Sequence, residues 1–268
     1  MQFISFNING VRAHEKQVLF IMRSIYPEII GLQEIKTQEE YFPEKKFLQY
    51  GYRAHVYGQK QYHGVAFLSR IKIQKTFRGL YNYDNRQRRV IAIELKTKKI
   101  KKLIVINIYA PHGESFYKTD KFEEKKFFYQ KLYLFLKRNC EKNAHILIMG
   151  DMNISPTDLD IGLSVNSYKQ WLNLKKCAFL PEERMWLNNL FQLGFKDVFR
   201  YLYPQKKNFY SWFDYRSQGY LKNIGLRIDL FLATHNILKY IQSSGILYHI
   251  RLIHTASDHV PIWIKMNI

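Results

Sequence analysis

Residues 149–160, MGDMNISPTDLD, follow the apolar run HILI and put Asp151 and Asn153 where a buried strand gives way to a Ser/Pro turn. Acids are the minority charge, 22 Asp+Glu against 42 Lys+Arg. A carboxylate at the end of an apolar strand is therefore either a turn-former or a reagent. The pattern recurs along the chain. Glu34 closes IIGLQE, Asn7 sits in SFNING, Tyr109 ends IVINIY, Asp229 lies in LRIDLF, and Asp258 and His259 precede VPIWI. Polar groups at the ends of neighbouring strands converge on one sheet edge. Asp151 and Asn153, two apart, face the same way in an extended chain, as do Asn7 and Asn9. Asp258 and His259 are adjacent and reach one site only where the chain leaves strand geometry. Each residue alone has an ordinary reading: Asp151 as a turn residue after Gly150, Glu34 as a cap for a helix starting near Thr37, His259 as a hydrogen-bonded core histidine. Their joint occurrence favours a site.

The elements that must position them are short apolar runs at residues 3–8, 28–34, 64–69, 89–95, 103–109, 145–151, 227–233 and 260–266. Their length and Ile/Val content predict buried strands. Helices are predicted over 14–26, which stops at Pro27, over 121–140, and over 181–194, which opens on Pro181 and closes on Gly194. Several strands and few helices, spread over the whole length, point to sheet packed on sheet with helices outside, an α/β sandwich. With no internal repeat and no Gly/Ser- or Pro-rich linker, residues 1–268 read as one domain.

Hydrophobic residues make up 47% of the 268, which excludes a disordered chain. The net charge of +20 points to a polyanionic partner, either nucleic acid or an anionic membrane surface, although a Lys-rich proteome would raise the charge with no partner at all. Cys140 and Cys177 offer at most one disulfide and no metal-ligand spacing, which suits a reduced intracellular protein. The start MQFISFNINGVRAHE has no signal-peptide pattern, and no apolar run approaches ~18 residues. A soluble, cytoplasmic protein is expected.

The ordered series SFNINGVRA, IIGLQEIK, YAPHGES, LIMGDMNISPTDLDIG, FLPEER, SWFDYRSQGYLKNIGLRIDLFLAT and SDHVPIW, running from residue 3 to 263, resembles the bacterial exonuclease III and abasic-site endonuclease family of the endonuclease/exonuclease/phosphatase superfamily. The resemblance implies a DNase I-like, four-layer α/β sandwich with two packed mixed β-sheets flanked by helices. It implies a metal-dependent DNA repair nuclease and phosphodiester hydrolase. Such an enzyme cuts 5′ to abasic sites in duplex DNA and trims 3′ ends as a 3′→5′ exodeoxyribonuclease and 3′-phosphatase or phosphodiesterase. Mg²⁺, with Mn²⁺ as the substitute, would be held by Glu34 and Asn7, with Asp151, Asn153 and Asp258 contributing. Asp151 would take a proton from the attacking water or orient it, and Asn153 would position that water. His259, oriented by Asp229, would steady the phosphoryl oxygens, and Tyr109 would donate to the phosphate or assist the leaving group.

On the substrate side the resemblance implies a small apolar pocket of Trp212, Leu226 and Ile228, with Phe213 beside it, for an extrahelical sugar lacking its base. Basic residues would surround the anionic cluster: RQRR (86–89), Arg216, Lys222 and Arg227, while KTKKIKK (96–102) reads better as a solvated strand connection. His112 departs from the family pattern, which carries an amide there, and its charge would depend on pH. The implied partner is duplex DNA with abasic sites or 3′ ends, acted on by a monomer with no membrane and no obligate protein partner. Two rival readings are a superfamily phosphoesterase for inositol phosphates or sphingomyelin, and a non-catalytic DNA-binding relative. Loss of Glu34 or Asp151 would mark the second, and both are present.

Overall fold

The computed structural model describes residues 1–268 except 81, 82, 84–86, 140–142, 217 and 254, so Arg86 and Cys140 lie outside the described residues. The first strands are β1 (Gln2–Asn7), β2 (Ile29–Gln33), β3 (Arg53–Tyr57), β4 (Val65–Ser69), β5 (Lys75–Arg78) and β6 (Val90–Leu95). They are followed by β7 (Leu103–Tyr109), β8 (Ile146–Asp151), β9 (Phe195–Asp197), β10 (Asp229–Thr234), β11 (Ile241–Ile246) and β12 (Ile262–Met266). One sheet has the order β11-β12-β1-β2-β4-β3, the other β5-β6-β7-β8-β10-β9. The parallel pairs β1–β2 and β7–β8 sit among antiparallel neighbours, so both sheets are mixed.

Four layers follow from the alternation of side chains along the strands. Phe3, Ile29, Phe67, Val105, Leu147, Met149 and Phe231 fill the space between the sheets. The alternate residues of the first sheet, such as Ile4, Phe6 and Ile30, pack outward against Val18, Ile21 and Met22 of α1 (Val11–Ser24). Those of the second, such as Ile106, Ile148 and Leu230, pack against a long amphipathic helix, Thr119–Asn139, and a second, Pro181–Gln192. Strands buried on both faces read as unbroken apolar runs, which is why the central ones were visible in the sequence.

The same parity aims the polar residues. Asn7 lies on the inner face of β1 with Phe3, Asp151 on that of β8 with Leu147 and Met149, and Asp229 on that of β10 with Phe231. Register places Tyr109 beside Asp151 across the parallel β7–β8 pair, and Asp229 opposite Asp151 across the antiparallel β8–β10 pair. Three chemically active side chains thus stand in a row at one end of one sheet. Gly150 lets β8 approach β7 there: at φ +140° a Cβ would lie 2.0 Å from the carbonyl oxygen of Ile108.

Three expected runs end differently, one of them 260–266, a strand only from Ile262. The segment 28–34 stops as a strand at Gln33 because Glu34 turns to φ +50°. The segment 227–233 becomes a strand only at Asp229, since Arg227 is drawn into an ion-pair cluster instead. No helix of the described residues is long and apolar enough to cross a membrane.

Candidate active site

Asn7 is the hinge between the two sheets. Its Nδ2 donates to Glu34 Oε1 at 2.9 Å and to Asp151 Oδ2 at 3.0 Å. The extended-chain expectation for the paired residues gives way to something tighter. Asn153 takes φ +51° and folds back, its backbone N donating to Asp151 Oδ1 (2.9 Å) and its Nδ2 to Asp151 Oδ2 (3.2 Å) and the Ala110 carbonyl (2.8 Å). Asn9, at φ +48°, makes the same Asx turn onto Asn7 Oδ1 at 3.1 Å. Glu34 caps no helix; its free oxygen pairs with Lys36 Nζ at 2.9 Å.

Against burial, which raises a carboxyl pKa, Lys36 and the Asn7 amide hold Glu34 below the usual range. Asp151 goes the other way: burial first, and then the Asp229 carboxylate, outweigh His259 and raise it. His259 Nδ1 lies 2.8 Å from Asp229 Oδ2 and its Nε2 3.8 Å from Asp151 Oδ2. Burial alone would discharge the ring, yet Asp229 and Asp151 overcome it and hold His259 protonated near neutral pH. Tyr109 is kept as a neutral phenol by burial and by the Glu34 carboxylate. Arg89 covers its ring, with the guanidinium carbon 4.8 Å from the centroid.

Ligand atoms of Glu34, Asp151 and His259 all lie within 4.8 Å of one another. A protonated imidazole cannot coordinate, so the donors that fit a cation are the carboxylate oxygens of Glu34 and Asp151; Asn7, expected as a ligand, turns its Nδ2 to them and its Oδ1 to the Asn9 N–H. Hard oxygen donors of this kind suit Mg²⁺, which keeps several waters. Asp258 is not in that group. Its oxygens accept from Asn9 Nδ2 and from Trp212 Nε1, each at 3.0 Å.

The cluster opens into a cavity of about 290 Å³ whose apolar wall is Trp171, Ala178, Trp212, Leu226 and Ile228. Leu226 and Ile228 share the face the sequence assigned them, and Trp212 is bridged to both Leu226 and His259. Trp171 and Ala178 were not foreseen. They come from a helix, Val165–Asn173, and the loop behind it, where Trp171 stacks on Phe179 at 5.7 Å.

Two substrate assignments are corrected. Phe213 is fully buried against Tyr210 and Val260 and does not line the cavity, because its neighbour Trp212 takes the opposite face. Arg227 is not available to a polyanion: its Nε bonds Asp160 Oδ1 at 2.7 Å and its Nη2 bonds Asp197 Oδ2 at 2.6 Å, all within the interior. Of RQRR, the two described arginines are engaged within the protein. Arg88 bonds the Gly58 carbonyl, and buried Arg89 pairs with Glu124 at 3.3 Å. Arg216 is exposed beside the Asp214 turn, Lys222 is exposed at the end of Gly219–Lys222, and the lysines of KTKKIKK are exposed between β6 and β7.

His112 lines the cavity as a neutral ring. Its Nδ1 takes the Glu114 N–H at 3.1 Å, which leaves the ring proton on Nε2, a donor and not an acceptor. Burial and the Lys125 ammonium push it down to about 4, so its charge is constant across the neutral range.

A model of the endonuclease/exonuclease/phosphatase family matches residues 4–259. The chain belongs to that family. Within it, the chain is 44% identical over its full length to exodeoxyribonuclease III of Haemophilus influenzae, covering 100% of that protein. A Neisseria 3′ phosphatase solved with a product DNA hairpin superposes at a TM-score of 0.91 with 30% identity, all of both chains being covered. An AP endonuclease of Archaeoglobus fulgidus superposes at 0.90 with 27% identity, again over both whole chains. The DNase I-like sandwich of two mixed sheets and the DNA repair nuclease class are thus common to sequence, fold and relatives.

Proposed function

We propose that this chain is a Mg²⁺-dependent DNA repair nuclease, with Mn²⁺ as the substitute, that cuts the phosphodiester 5′ to abasic sites in duplex DNA and removes nucleotides or blocking groups from 3′ ends. The observation that carries it is the continuity of one anionic cluster, Asn7, Glu34, Asp151 and Asn153, with an apolar cavity walled by Trp212, Leu226 and Ile228. An abasic sugar, without its base, is small enough to enter such a space. A normal nucleotide is larger and must first unstack, at a few kcal/mol.

When bound, the cation supplies charge neutralisation at the phosphate and at the developing oxyanion. Asp151, buried and raised towards neutrality, accepts the proton of the attacking water, and Asn153 fixes its carboxylate and aims the water. Protonated His259, oriented by Asp229, holds a non-bridging phosphoryl oxygen. Tyr109 stays protonated and donates to the phosphate or the leaving oxygen. The P–O bond to the 3′ oxygen breaks, leaving a 3′-hydroxyl and a 5′-phosphate. Exposed Arg216 and Lys222 contact the duplex backbone. The reading takes the chain as a monomeric single catalytic domain of the reducing cytoplasm, where the buried thiol of Cys177 stays free.

The product end tests the reading. After incubation with a duplex carrying one internal abasic site, the upstream fragment is expected to be extended by a DNA polymerase without further treatment. A fragment that needs phosphatase or a second nuclease before extension would place the cut on the wrong side of the lesion.

A further inference from the structure

The second sheet is only partly roofed on its outer side. The helix Thr119–Asn139 covers β7 and β8, and beside its last turns, at Phe135, Leu136, Arg138 and Asn139, lies a cavity of about 630 Å³, more than twice the volume at the catalytic cluster. Its floor is apolar: Phe77 of edge strand β5, Ala92 of β6, and Ile104 and Ile106 of β7, closed on one side by Phe135. Phe77 is 47% exposed. Its mouth is cationic, with exposed Lys99, Lys101 and Lys102 from the β6–β7 connection, and Glu94 is the one acid among the described lining residues.

This cavity lies at the opposite end of the strands from the catalytic row. Ile104 and Ile146 line it, whereas Tyr109 and Asp151 close the same two strands at the other end, about 17 Å away at ~3.3 Å per residue. A duplex seated on the catalytic face leaves it accessible. Ala92 and Ile106 lie buried at the bottom of the recess, and exposed Phe77 with half-buried Ile104 and Phe135 opens it to solvent; an apolar recess opening among lysines has the anatomy of a recognition surface. A phosphate backbone would satisfy the lysines but stay on the rim and leave the floor wet, and the floor is largely aliphatic rather than a flat stacking platform. The complement to both features is a carboxylate-rich segment bearing bulky apolar side chains.

We infer that this pole is a docking site for an acidic protein segment whose apolar side chains enter the recess under Lys99, Lys101 and Lys102. The site is independent of the nuclease reading, and a partner held there would travel with the protein while the other face engages its substrate.

The probe is a fluorescein-labelled peptide, Glu-Asp-Asp-Phe-Leu-Asp-Asp-Glu, titrated with the full chain by anisotropy. Saturable binding is expected, weakened about tenfold or more when Ser-Ser replaces Phe-Leu in the peptide, and likewise by Phe77→Ser and by Lys99→Glu/Lys101→Glu. All three substituted positions are exposed, so the variants fold, and their nuclease rate is expected to equal that of the parent. Saturating duplex DNA should not displace the peptide. Absence of saturable binding overturns the inference. So does equal binding of the Ser-Ser peptide, which would reduce the effect to bulk charge. Displacement by single-stranded oligothymidylate would assign the groove to nucleic acid, and self-association lost in Phe77→Ser would assign it to a second copy.

Discussion

Lys125 and Glu183 form an ion pair with no exposed surface on either side chain. Lys125 Nζ donates to Glu183 Oε1, to the Asn153 carbonyl at 2.8 Å and to the His112 carbonyl at 3.2 Å. Glu183 Oε2 accepts the N–H groups of Ala178 and Leu180, both at 2.8 Å. The pair therefore ties together three loops that contribute His112, Asn153 and Ala178 to the catalytic cavity. Glu183→Gln removes the charge and turns an amide donor towards an ammonium left with only two carbonyls. Breaking a buried pair from one side costs about 3–5 kcal/mol, which lowers the melting temperature by about 6–20 °C. Lys125→Met leaves a carboxylate still held by two N–H groups in the first turn of the helix Pro181–Gln192, so it should cost less. A loosened Asn153 adds a fall of roughly 10²-fold in single-turnover cleavage below the melting range, with little change in substrate affinity. Denaturation and single-turnover cleavage of the two variants measure both effects. A Glu183→Gln protein as stable as the parent, or less damaged than Lys125→Met, would refute the reasoning.

Adjacent aromatics should separate cleanly: Trp212→Ala lowers the preference for abasic over intact duplex with stability nearly retained, whereas Phe213→Ala costs about 3–5 kcal/mol in denaturant titration. Arg227→Ala takes the arginine from buried Asp197 and one of two from Asp160, which keeps Arg200, and should destabilise by about 3–5 kcal/mol while leaving the salt dependence of DNA binding unchanged. Arg216→Ala and Lys222→Ala should instead each flatten that dependence by about one counterion. Burial and Arg89 hold His63 at about 4, and His112 lies equally low. Between pH about 6.5 and 4 the unfolded chain binds two histidine protons that the folded protein refuses, against one that raised Asp151 takes up only when folded, so stability falls on acidification through that window. His63→Gln/His112→Gln should flatten the melting-temperature profile there, and a parent protein that gains stability over the same range would contradict the assignment.

What the sequence made legible follows burial. Central strands such as LIVINIY and ILIMGD are covered on both faces and read as apolar runs, and the acids that end them stood out. β3, β5, β9 and β11 were not readable: RAHVY, KTFR and FKD are short and carry charge, and IQSSGI is broken by polar residues and a glycine. The Asx turn of Asn153 depends on a left-handed φ that no spacing rule encodes. Lys125 and Glu183 lie in two predicted helices where nothing in their spacing singles them out, and only the packing of three loops over them puts both in the interior. Trp212 and Phe213 are indistinguishable as types, yet adjacent positions point to opposite faces, so one lines the cavity and the other fills the core.

The most direct test is cleavage of a 5′-labelled duplex with one internal abasic site, by the parent and by Asp151→Asn, with Mg²⁺ or with EDTA. A single cut at the lesion is expected from the parent with Mg²⁺ alone, slowed about 10²–10⁴-fold in Asp151→Asn, with a 3′-end ladder reporting the exonuclease activity. An uncut strand, or a cut that persists in EDTA or at the parent rate in Asp151→Asn, would contradict the assignment of the strand-end cluster as the catalytic centre.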